Sequence, residues 1–164
     1  MGNSYFKKKL NDLIYGTQRV KCRFEMENPN EKVVASDACK AISTSNNQKI
    51  EYGFNWVISQ REVILLTDKN IICGKCIIPL ESISSAELVE FSPRYGNSFV
   101  LKICTKDNCN YQFGMQYNSE WINQRVLPLT IEKGRIKFSP FSIIIRVFIA
   151  LYLMYLIYEQ FINK

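Results

Sequence analysis

The chain has 164 residues, a formal net charge of +6 and no histidine. That length accommodates one domain of ordinary size with some chain to spare. The missing histidine excludes Ser-His-Asp and Cys-His nucleophilic machinery and histidine metal ligands, while the mild basic excess suits an anionic surface without demanding one.

Met1 to Gly16 has no long apolar core of the kind a secretory signal needs. The domain is therefore expected in the cytosol, with its six cysteines reduced. Phe6, Leu10, Leu13 and Ile14 follow helical spacing, which predicts a short helix over Tyr5 to Tyr15 with Lys7, Lys8 and Lys9 beside its apolar stripe. Gln18 to Met26 alternates: Val20, Cys22, Phe24 and Met26 against Arg19, Lys21, Arg23 and Glu25. Period two predicts a half-buried strand. The basic side reads as the wet face of a sheet, not as a nucleic-acid surface. Glu27-Asn28-Pro29-Asn30 breaks the pattern.

Val33 to Ile42 reads as a strand, and Ser43 to Gln48 as a polar turn. Tyr52, Phe54, Trp56 and Ile58 alternate and predict another strand. Val63–Thr67, Ile71–Cys73 and Cys76–Ile78 are short apolar runs separated by Asp68-Lys69-Asn70 and Gly74-Lys75. Ala86–Phe91 resumes extended structure, Ser92–Asn97 turns, and Phe99–Ile103 and Tyr111–Met115 alternate across a hairpin closed by Lys106-Asp107-Asn108. Ser119 to Val126 predicts a short helix, capped by Asn118 or Ser119 and stopped by Pro128.

Cys73-Gly74-Lys75-Cys76 is a C-x2-C pair at a tight turn, and Cys104 and Cys109 form a C-x4-C pair across another. Four such thiolates are the donor set of a structural zinc site. The reading taken is no metal, with small apolar cysteines in and beside strands; the zinc set Cys73, Cys76, Cys104 and Cys109 is its alternative. The carboxylates Glu62, Asp68, Glu81, Glu87 and Glu90 are scattered, and no glycine loop has phosphate-binding spacing. No catalytic residue and no cofactor are assigned.

Phe141 to Tyr158 carries one charge, Arg146. A helix apolar on every side belongs in a core or a bilayer. At about 1.5 Å per residue this run rises roughly 27 Å, against a hydrocarbon layer of ~30 Å. The expectation is a single C-terminal transmembrane span. Lys133, Arg135, Lys137 and Arg146 crowd its upstream side and Lys164 lies downstream, so the preceding domain is expected to face the cytoplasm.

Ile64-Leu65-Leu66-Thr67-Asp68-Lys69-Asn70-Ile71-Ile72, then Ile78-Pro79-Leu80-Glu81-Ser82-Ile83, then Ala86-Glu87-Leu88, resemble the hairpin and following segment of bacterial PH-like (GRAM-like) domains. Phe113-Gly114-Met115 and the helix around Trp121 fit the same pattern. The resemblance covers about 31–129. It implies a mostly β fold: a PH-like barrel of two near-orthogonal antiparallel sheets capped by a helix. The loop that carries clustered Lys and Arg in phosphoinositide-binding PH domains matches Ser43 to Lys49 here. It holds Lys49, with Lys40 nearby, and departs from that pattern.

The expected organisation is an N-terminal extension over 1–30, the PH-like domain over 31–129, a basic juxtamembrane linker over 130–140, a transmembrane helix over 141–158 and a tail over 159–164. The expected function is a tail-anchored, non-catalytic binding module on the cytosolic face of a membrane. Its partner would be a protein or anionic lipid headgroups, not nucleic acid. The lipid-facing residues would be Lys7, Lys8, Lys9, Lys133, Arg135, Lys137 and Arg146. The alternatives are a structural subunit of a membrane complex, or an enzyme with an unrecognised site.

Overall fold

The computed structural model describes residues 12, 14–44, 50–52, 54–91, 98–134, 137–138 and 140–162. The helix expected over Tyr5–Tyr15, with Lys7, Lys8 and Lys9, lies mostly outside these residues. So do the greater part of the turn at Ser43–Gln48 and all of that at Ser92–Asn97.

The alternating stretch expected as a strand is instead a helix, α1 (Thr17–Glu27). Its Gln, Arg, Lys, Glu and Met content favours helix, and its backbone is satisfied without a neighbouring strand. Asp12 Oδ1 accepts from Gln18 N at 2.6 Å and caps the start. Asn28 N donates to Phe24 O at 2.8 Å and closes the end. Thr17, Lys21, Phe24 and Glu25 are half-buried at helical spacing, while Met26 is 76% exposed. The period-two pattern is not used.

The body is one sheet of eight strands: β1 (Val33–Thr44), β3 (Arg61–Thr67), β4 (Asn70–Cys73), β5 (Cys76–Pro79), β6 (Ile83–Phe91), β7 (Ser98–Thr105), β8 (Asn110–Gln116) and β9 (Thr130–Lys133). Their order is β5-β4-β3-β1-β8-β7-β6-β9. All neighbours are antiparallel except β6 and β9. Two separate sheets forming a barrel were expected; one open sheet is observed, in a mixed α/β protein. The reason lies in β1. Val33 to Lys40 pair with β3, and Cys39 to Thr44 pair with β8. One strand of 12 residues thus splices both halves into a single ladder, whose outer strands are β5 and β9.

One face of the sheet coils around the main core. Ala35, Cys39, Ile64, Leu66, Ile71, Ile78, Leu88, Leu101 and Phe113 contribute from strand after strand. Trp121, on α3 (Ser119–Asn123), is fully buried in the same cluster. Asn118 Oδ1 accepts from Glu120 N at 3.0 Å, so that of the two caps expected, Asn118 or Ser119, Asn118 is the one used. Asn118 Nδ2 also donates to Ser36 O at 3.0 Å and ties α3 to β1.

The turn between β3 and β4 is built on Thr67. Its fully buried hydroxyl accepts from Asn70 N at 2.7 Å and Lys69 N at 3.1 Å and donates to the Glu31 carboxylate. Asp68 Oδ1 accepts from Lys32 N at 3.1 Å. The Thr-Asp-Lys-Asn sequence therefore grips the chain as it enters β1.

The opposite face carries a smaller core of Trp56, Val89, Phe91 and Val100, with Ile42 and Ile50 packed on it. Trp56 lies on a second short helix, α2 (Phe54–Ile58), where a strand was expected. As a helix, this stretch presents the indole to the sheet, and Lys40 Nζ donates to Trp56 O at 2.6 Å. Beside it, β2 (Glu51–Tyr52) pairs in parallel with β10 (Lys137–Phe138).

The last element is α4 (Pro140–Ile162), a helix of 23 residues. The transmembrane span expected over Phe141–Tyr158 is corrected: among the described residues, no helix is long and apolar enough to cross a membrane. Arg146 and Glu159 bound the uncharged run to Val147–Tyr158. That run rises about 18 Å, against a hydrocarbon thickness of ~30 Å. The tail-anchored single-pass location, the cytoplasmic orientation read from the flanking basic residues, and the bilayer as partner are withdrawn with it. The helix is also not part of the sheet's core. Its described large apolar side chains from Ile143 to Tyr158 are 39% to 68% exposed.

Candidate functional site

The densest group of reactive side chains lies where β1, β3, β4 and β5 meet. Cys39 on β1 is opposite Glu62 on β3, and Cys73 on β4 is opposite Ile64 two residues further along β3. Strands two places apart in a flat sheet stand roughly 9–10 Å from one another. Here the sheet coils so tightly that the Cys39 and Cys73 Sγ atoms are 3.4 Å apart. Both residues are buried, at 2% and 4% exposure. Cys73 Sγ also lies 3.9 Å from Glu62 Oε2.

Cys73 and Cys76 face each other across the β4–β5 hairpin. Its first central residue is Gly74, at φ 56°. This is the left-handed conformation that a two-residue hairpin turn of this kind reserves for glycine. A side chain there would also collide with Glu62, because a Cβ would stand 1.7 Å from Oε2. The carboxylate therefore lies directly over the turn.

The electrostatics follow from this crowding. The contact with Cys73 and burial push the Cys39 thiol far up. The hydrogen bond with Cys39 holds Cys73 below the ordinary thiol range, against burial and the Glu62 charge. Burial, then Cys73 and Glu62, push Cys76 up. Burial raises Tyr111 too, with smaller contributions from Cys76 and Cys109.

The four cysteines singled out in the sequence do not share one position. Cys73 is in the main core, and Cys76 is half-buried and packs against it. On β7 the core residue is Ile103, so Cys104 alternates onto the other face. Cys109 is exposed in the turn before β8. Among the described residues, no group of three or more His, Cys, Asp or Glu side chains is placed to hold a metal ion. Sequence spacing missed Cys39 and Glu62, the two groups that do meet Cys73. Local spacing cannot reveal a contact between residues 34 apart in the chain; the pairing of β1, β3 and β4 can.

Of the basic residues, Lys7, Lys8, Lys9 and Arg135 lie outside the described residues. Lys133 is exposed at the end of β9, Lys137 is in β10, and Arg146 is exposed on α4. An open hollow of about 590 Å³ lies beside Gly16, between Asp12, Tyr15, Arg19 and Arg23. A shallow depression of about 10 Å³ lies near the Glu87–Lys102 ion pair, which measures 3.0 Å. That volume is at the lower limit for a single water.

No protein-family model matches the chain, and no curated protein matches it.

Proposed function

We propose that the chain is a non-catalytic docking module, and that α4 is the element it presents to a partner protein. The observation that carries this reading is the bare apolar surface of α4. Ile149, Leu151, Leu153 and Ile157 are each more than half exposed. Completing the burial of each is worth about 1 kcal/mol. A contiguous apolar surface of this extent marks an interaction site.

The residue types favour a protein as the cover. Phe148, Tyr152, Met154, Tyr155 and Tyr158 lie on this helix and are exposed. Aromatic residues and Met are enriched at protein–protein contacts. Three tyrosine hydroxyls need hydrogen-bond partners when covered, and a protein surface supplies them. The pairing of β10 with β2 fixes the start of the helix to the body, so that the sheet acts as its platform.

The test is a photo-crosslinking residue at Leu151 or Tyr155 of the full chain, in cells that make it. Protein adducts of one defined mass, formed from both positions and absent from a control at exposed Lys75, support the reading. Adducts to lipid only, or none, overturn it.

A further inference from the structure

We propose that Cys39 and Cys73 are a reversible redox pair, oxidised by a hydroperoxide to a disulfide that staples β1 to β4 across β3. The geometry carries this. The two Sγ atoms already touch at 3.4 Å. A disulfide bond is about 2.05 Å long and needs Cα atoms within about 7 Å, so the sulfurs must close by about 1.4 Å and the coiled strands on either side of β3 must draw together with them. Both belong to one packed core, and the strand between them holds their relative height.

Access comes through the hairpin. Cys73 sits directly behind Gly74 and Lys75, which are exposed, and the Glu62 carboxylate over the turn is the side chain that an opening must move aside. Fraying of a two-residue turn at the end of two four-residue strands is a local opening of low cost. It uncovers Cys73 without disturbing β1. Of the two thiols, Cys73 is the one that this opening of the hairpin exposes to a peroxide, and its hydrogen bond with Cys39 favours the thiolate against burial and Glu62. Asp37 and Glu62 lie near enough to disfavour a thiolate on Cys39.

The chemistry balances. The Cys73 thiolate attacks one peroxide oxygen, the O–O bond breaks, and hydroxide or alkoxide leaves. Cys73 is then a sulfenic acid. Cys39 attacks the Cys73 sulfur, the S–O bond breaks, and the hydroxyl departs as water with the proton that Cys39 gives up. Two thiols lose two electrons, and one hydroperoxide is reduced to water and an alcohol, or to two waters. Thiol–disulfide exchange with a small dithiol restores both thiols.

The staple would close the chain between residues 39 and 73, a segment that contains β2, α2 and β3. Cross-linking a loop of this length restricts the unfolded chain and raises the melting temperature by several degrees.

The experiment treats the purified, reduced full chain with one equivalent of hydrogen peroxide. Remaining thiols are blocked, and the protein is mapped by non-reducing digestion and mass spectrometry. The expected result is a Cys39–Cys73 cross-link, a melting temperature raised by several degrees, and reversal of both by dithiothreitol. The variant C39S should instead leave Cys73 as a trapped sulfenic acid, detectable with dimedone. A Cys73–Cys76 link as the main product overturns the proposal. So does oxidation of exposed Cys22 and Cys109 while Cys39 and Cys73 stay reduced. The mapping is read on the unaltered chain, so it decides the matter even if C39S fails to fold.

Discussion

The six-membered ring of the Trp56 indole occupies the space beside Gly114, where a Cβ would stand 2.5 Å from Trp56 Cζ3. Gly114 is paired with Lys40 on one side and Val100 on the other. The second core therefore depends on a missing side chain in the middle of the sheet. Gly114→Ala should displace the indole and cost about 1–3 kcal/mol, the range for overpacking a filled site. Urea unfolding of the variant and the parent measures this directly. An unchanged midpoint would mean that Trp56 does not rest there.

Thr67 supplies one hydroxyl to two backbone amides and to Glu31. Thr67→Val keeps the shape and removes the polar atom. It should cost about 1–3 kcal/mol, because buried donors lose their acceptor. Thr67→Ser, which keeps the oxygen, should cost less than Thr67→Val. Comparing the two variants by denaturant titration separates the hydrogen bonds from the packing.

Burial, with Cys73 and Glu62 beside it, raises the Cys76 thiol above its ordinary range. The folded state thus holds this proton more tightly than the unfolded state does. The resulting stability is complete below the unfolded thiol value, ~8.5, and is lost as pH rises through the folded value. The denaturation midpoint should fall as pH rises above about 8.5, and should fall less in Cys76→Ser. Glu62→Gln removes one of the charges that raises Cys76. It should make Cys76 react with iodoacetamide at a lower pH than in the parent, as peptide mapping of the alkylated thiols would show.

The described large apolar side chains of α4 are exposed, and the main core is assembled from the strands, Trp121 and Leu127. Ending the chain after Phe138 should therefore leave the sheet's unfolding midpoint within about 0.5 kcal/mol of the full chain. It should also lower the tendency to self-associate, read by light scattering. A large loss of stability would place α4 within the folded core.

Much of the strand content was legible because turn residues punctuate short apolar runs. Asp68-Lys69, Gly74-Lys75 and Lys106-Asp107-Asn108 each fall between paired strands, with Asn70 opening β4. Two alternating stretches misled for the same physical reason. A period-two pattern predicts a strand only where a neighbour can accept the backbone bonds. Val20, Cys22, Phe24 and Met26 lie in a segment whose backbone bonds are closed within a helix. Phe54, Trp56 and Ile58 likewise became a short helix, which Lys40 holds through the Trp56 carbonyl. Thr130–Lys133, within the stretch expected as a basic linker, runs beside β6, and four residues are too few to carry a periodic signal. The Cys73 turn was visible, whereas its contact with Cys39 depends on strand order and coil.

Cys39 and Lys40 hold hydrogen-bonded neighbours on both flanks, since β1 is common to the two halves of the sheet. Breathing of either half must therefore stop at these two residues, or else carry the other half with it. The molecule is built to melt as one cooperative unit, and its slowest-exchanging amides belong at the middle of β1.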